Sequence, residues 1–156
     1  MIILISRKRM RENTFRLLFV AMLNDSSVEE IIGAAAEAQL NADELETDEE
    51  VRAFASEVLL KTDELDEIIR KYSAKRSASR MPASTMAILK LALYELNYTK
   101  QIEPSIVISE ALRLDKKYAG KEESRFINGL LGAYVRDMGL STESTQTQIE
   151  NDEQEQ

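Results

Sequence analysis

The spacing of apolar residues constrains this chain more than any other feature. They recur near every 3.6 positions along almost its whole length, and no segment sustains the alternation of a half-buried strand. An all-α fold of about seven helices follows. Phe15, Leu17, Leu18, Phe19, Val20, Ala21 and Leu23 predict a first helix from about Arg7 to Leu23. Ser26-Ser27-Val28-Glu29-Glu30 holds two overlapping capping boxes, in which a serine oxygen accepts from an early amide and the glutamate returns to the cap; a second helix to about Ala38 is expected. Thr47-Asp48-Glu49-Glu50 repeats the device before Val51, Phe54, Ala55, Val58 and Leu59, and Thr62-Asp63-Glu64 opens a short helix with Leu65, Ile68, Ile69 and Tyr72.

Residues 73–85 are small, polar and basic, and Pro82 disfavours helix at Met81 while fitting the first turn of a new one. A linker is expected over 73–83, between an N-terminal half (about 6–72) and a C-terminal half (84–140) of one domain. Met86 to Leu96 is apolar nearly all round, as in a helix surrounded by others. Pro104 starts another helix, to about Tyr118, and a last one spans about Ser124 to Met138 with Gly139 as its left-handed stop. Residues 141–156 carry one bulky apolar residue, too little to offset the cost of ordering, and are expected to form a disordered acidic tail.

The 156 residues include no cysteine and no histidine. Disulfides, structural zinc, thiol catalysis and Ser-His or Cys-His dyads are therefore excluded. Neither phosphate-cradling glycine motif occurs. No catalytic residue, metal or cofactor is expected. No apolar run reaches the ~18 residues of a membrane span, and the apolar opening precedes its basic cluster, the reverse of a secretory signal, so the chain reads as cytoplasmic.

The net charge of −8 conceals an uneven distribution. Residues 1–24 carry +4 and 70–80 carry +5, whereas 25–69 carry −13 and 141–156 carry −5. Salt screens charges beyond roughly 8–10 Å, so a ligand responds to the local cluster more than to the total. Much of the acidic block is helix-start chemistry, which complements the helix dipole. Cations at the start of the first helix oppose that dipole and need another reason.

The second half supplies one. Ala87-Ile88-Leu89-Lys90-Leu91-Ala92-Leu93-Tyr94-Glu95-Leu96, then Ile102-Glu103-Pro104-Ser105-Ile106-Val107-Ile108-Ser109-Glu110-Ala111, Lys116-Lys117-Tyr118 and Arg125-Phe126-Ile127-Asn128-Gly129-Leu130-Leu131 resemble, in order and spacing, the C-terminal half of the NusB family of transcription antitermination factors. Arg7-Lys8-Arg9-Met10-Arg11-Glu12, followed by Phe15 to Phe19, is similar to the family's arginine-rich opening. The resemblance covers most of residues 6–138. It implies two small helical bundles packed across each other, and a function without chemistry. Such proteins pair with NusE, a ribosomal small-subunit protein, bind single-stranded boxA RNA of ribosomal RNA leaders, and join RNA polymerase to suppress premature termination.

Carried over residue by residue, the resemblance implies RNA-backbone contacts from Arg7, Lys8, Arg9 and Arg11. It implies a base-stacking ring at Phe126 beside Arg125, and an acceptor at Glu122. Phe19 and Thr85 fall at the NusE interface. Tyr94 and Glu95 read as core packing and a satisfied polar group or ion pair. Gly129 reads as permitting a close helix approach, and Asn128 as bonding a neighbouring backbone. The sequence departs from the family at Ser84-Thr85-Met86, usually more charged, and at Ser109, usually asparagine. A helical adaptor that binds only protein is the competing reading, and whether the free chain pairs with itself stays open.

Overall fold

The computed structural model describes residues 7–37, 49–73, 76, 80–99 and 102–140. These form seven helices and no strand: α1 Arg7–Asn24, α2 Val28–Glu37, α3 Glu49–Leu60, α4 Thr62–Tyr72, α5 Ala83–Tyr98, α6 Pro104–Ala119 and α7 Ser124–Met138. The expected tail 141–156, residues 1–6 and the Thr47-Asp48 start lie outside the described residues.

Local chemistry sets most boundaries. Ser27 caps α2, its Oγ accepting from the Glu30 amide at 3.1 Å, as the second of the two capping boxes requires. Ser26 instead donates to the Asn24 carbonyl. α4 differs from expectation, because Lys61 occupies its cap and makes no side-chain cap bond. Thr62 is already helical, and its Oγ1 lies 3.4 Å from Lys90 Nζ. α7 ends at Gly139 (φ 64°), whose amide reaches the Arg136 carbonyl while that of Leu140 reaches Val135, so the last carbonyls are satisfied. Gly120 (φ 68°) ends α6 in the same left-handed conformation.

α1 packs on α2 and α3, and crosses α5. α5 is central, touching α1, α3, α4, α6 and α7; α4 and α6 also touch α7. Two small groups of helices, α1–α3 and α4–α7, are thus packed across each other through α1 and α5. The run read as a linker joins α4 to α5, two helices that pack on one another. Every helix contributes to one apolar cluster, and residues 87–95 of α5 are all buried. Truncating a large side chain there, such as Leu89 or Leu93, removes apolar burial and leaves a cavity, a loss of about 2–5 kcal/mol. The one lysine in that stretch, Lys90, is 3.1 Å from Asp66 Oδ1.

Candidate nucleic-acid interface

The C-terminal half of α6 holds the start of α1 on one side and the start of α7 on another. Arg113 Nη2 lies 3.4 Å from the Lys8 carbonyl, and its Nη1 lies 3.4 Å from Glu12 Oε2. Its Nε donates to Glu110 at 2.8 Å. Lys117 and Tyr118 both donate to Glu12 Oε1, the tyrosine at 2.7 Å. The Tyr118 ring rests on Phe15, with centroids 4.9 Å apart. On the other side of α6, Asp115 is fully buried and accepts from Ser124 Oγ at 2.7 Å, which anchors the first residue of α7.

Glu12 therefore holds three donors. Partial burial opposes its ionisation, but hydrogen bonds from Lys117, Tyr118 and Arg113 outweigh it and bring its carboxyl down to about 2. The Tyr118 hydroxyl is pushed up to about 12 by burial and by its bond to Glu12. Around these contacts Arg7, Lys8 and Arg9 of α1, Lys116 of α6, Lys121 in the turn before α7 and Arg125 of α7 are exposed.

Among the residues expected to contact RNA, Arg7, Lys8, Arg9, Glu122 and Arg125 are on the surface. Arg11 is not. It is 6% exposed, and its Nε donates to both Glu95 oxygens, at 2.7 and 2.8 Å. It has turned from the helix surface into the seam between α1 and α5, where its charge is matched within the core. Glu95 is the satisfied ion-paired residue expected, and the half-buried ring of Phe54 meets Tyr94 edge-on, with centroids 5.4 Å apart. Beside the Arg11–Glu95 pair, a cavity of about 150 Å³ lined by Arg7, Met10 and Ile102 opens at the start of α1. A larger one, about 570 Å³, lies at the other end of α1 against Val28, Leu59 and Leu60.

Phe126 is half-buried, packed against the core, and the Arg76 guanidinium lies over its ring, with Cζ 4.8 Å from the centroid. Arg76 Nη1 and Nη2 both donate to Glu123, Nη2 at 2.9 Å to Oε1. That pairing raises the guanidinium and lowers the carboxyl from their ordinary values. Sequence reasoning counts Arg76 only within a basic run; its partner lies 47 residues away, where no local signal reaches. Arg113, Lys117 and Tyr118 escape it as organisers for the same reason.

Phe19 is half-buried and stacks on Phe15, with centroids 5.9 Å apart. Thr85, expected at a partner interface, is fully buried, because the first turn of α5 already enters the core. Ala83, Ser84 and Met86 are the half-buried residues of that turn. Gly129 is also placed differently from expectation: it is exposed, and a Cβ added there would meet nothing within 4 Å. It permits no close helix approach. Among the described residues no group of acidic side chains could hold a metal ion, and no helix is long and apolar enough to cross a membrane.

This chain is 34% identical over 136 residues to the transcription antitermination protein NusB of Alkaliphilus oremlandii, covering 86% of this chain and 96% of that one. Its fold is similar to that of a NusB from T. maritima, with a TM-score of 0.70 at 26% identity over 86% of this chain and 93% of the other. It is also similar to a chain in a crystal structure of antitermination factors NusB and NusE in complex with dsRNA, with a TM-score of 0.67 at 26% identity over 84% and 96% of the two chains. The NusB family model matches residues 8–136, and with the relatives above this establishes that the chain belongs to the NusB family, which is not a family of enzymes.

Proposed function

We propose that this protein is a transcription antitermination factor that binds single-stranded boxA RNA of ribosomal RNA leaders together with NusE, and acts within an RNA polymerase complex in the cytoplasm. The observation that carries the reading is the arrangement around α6. Arg113, Lys117 and Tyr118 hold the basic start of α1, Asp115 holds the start of α7, and exposed cations stand on all three helices, among them Lys8, Lys116 and Arg125. Such cations neutralise phosphates and release counterions, giving affinity with little sequence information. Sequence preference then comes from the start of α7, where Glu122, Arg125 and Phe126 are close to one another in the chain.

The RNA contacts in this reading are Arg7, Lys8, Arg9, Glu122, Arg125 and the Phe126 site. NusE meets the Phe19 side of α1 and the start of α5 at Ser84. The solved complex of NusB and NusE contains dsRNA, which supports an RNA role at the level of the polymer. The test is fluorescence anisotropy of a labelled boxA-like single strand, a scrambled strand and a duplex, with and without NusE, across a salt series. Sequence-dependent binding to the single strand, tightened by NusE, is the expected result. Binding of NusE with no RNA bound at any salt would instead make the protein a helical adaptor.

A further inference from the structure

The ring of Phe126 is the obvious flat surface for an unpaired base, but it is half-buried against the core and the Arg76 guanidinium lies over it, with Cζ 4.8 Å from its centroid. Arg76 is fixed from both ends. Its backbone amide donates to the Ser73 carbonyl at 3.0 Å, tying it to the end of α4, and its two terminal nitrogens grip Glu123 just before α7. A fork of this kind sets the plane of the guanidinium as well as its position. The Arg76 side chain remains 30% exposed, while that of Glu123 is 15% exposed.

We propose that the base-stacking platform of this protein is the outer face of the Arg76 guanidinium, with Phe126 beneath it and Glu123 as positioning residues. Guanidinium planes stack on unpaired bases much as aromatic rings do. Displacing Arg76 to reach the ring would leave the largely buried Glu123 carboxylate without its partner, a costly alternative. The Arg76–Glu123 pair is also neutral overall, so it offers a plane more than a charge. Phosphates are left to the exposed Lys121 and Arg125 nearby in the chain. Arg76 thereby becomes a base-stacking element of the RNA site, a role distinct from that of the α1 cations.

This inference rests on the RNA-binding reading above, and the two fail separately. The experiment uses the full chain with NusE and a boxA-like single strand carrying 2-aminopurine at successive positions, whose fluorescence is quenched on stacking. Wild type is expected to quench one position. Arg76→Lys keeps the charge and loses the plane, so it is expected to bind about tenfold more weakly, to lose that quench, and to retain the wild-type salt slope. Glu123→Gln is expected to weaken the quench by loosening the fork. Unfolding curves establish that each variant is folded, and Arg76→Lys, which can still pair with Glu123, serves if Arg76→Ala does not fold. Wild-type affinity and quench in Arg76→Lys would overturn the platform and leave only a charge. Tighter binding by Arg76→Ala would make Arg76 a cover over Phe126. No RNA binding by wild type would overturn the RNA reading itself, and the platform with it.

Discussion

Arg11 and Glu95 form a buried ion pair across the α1–α5 seam, with one guanidinium nitrogen within 2.8 Å of both carboxylate oxygens. Burial holds the Glu95 carboxyl above its ordinary 4.5, and Arg11 opposes that rise. Removing one partner leaves the other charge buried and unmatched. Arg11→Ala is therefore expected to cost about 3–5 kcal/mol of stability, measured by urea unfolding, and to leave the salt dependence of RNA binding unchanged. A carboxyl whose folded value is raised binds its proton more tightly folded than unfolded, so stability falls as pH rises from 4.5 through the higher folded value. Without Arg11 the rise is larger, and the variant's deficit should be greater at pH 7 than at pH 5.

Arg7 and Lys8 are exposed at the same helix start. Each of Arg7→Ala and Lys8→Ala should weaken binding uniformly across RNA sequences and reduce the log–log salt slope by about 0.7 for each phosphate no longer neutralised. Thermal unfolding should be little changed, because neither side chain is buried. Anisotropy titrations at several salt concentrations check both statements. An unaltered slope would remove these side chains from the interface.

Glu12 gathers Lys117, Tyr118 and Arg113, and its carboxyl lies near 2 against an ordinary 4.5. A depressed folded value means that stability is fully present above about 4.5 and is lost as pH falls toward 2. Glu12→Gln should cost about 1–2 kcal/mol at neutral pH, allowing for solvent screening of a surface network, and should flatten the acid limb of the stability profile. Unfolding midpoints measured between pH 2 and 7 give the comparison. A parallel shift at every pH would mean that Glu12 acts by packing alone.

Gly129 stands in regular helix, exposed, with open space where a Cβ would go. Gly129→Ala should raise stability by about 0.5–1 kcal/mol, through the lower backbone entropy of the unfolded chain. A higher melting temperature is the readout. If RNA or NusE binding falls at the same time, the bare surface at Gly129 belongs to an interface; if binding is unchanged, the glycine serves neither packing nor recognition.

The elements of this protein are legible in its sequence because their causes are local. A 3.6-residue apolar period specifies helix wherever it occurs, Ser27 with Glu30 makes its own cap, Pro104 suits a first turn, and Gly139 supplies the left-handed stop that the end of α7 needs. The all-round apolar character of α5 likewise announces its central place. What only the tertiary structure decided is which charged and aromatic side chains remain available. Arg7 and Arg11 are one turn apart on the same helix, yet one meets solvent and the other meets Glu95, 84 residues along the chain. Arg76 is one more cation in a basic run until Glu123 and Phe126 come to lie against it. Thr85 and Gly129 exchange their expected places, one buried and the other exposed. Hydrophobic periodicity sets the face of a helix, but the partner of a buried charge depends on how helices cross, and no spacing within one segment encodes that.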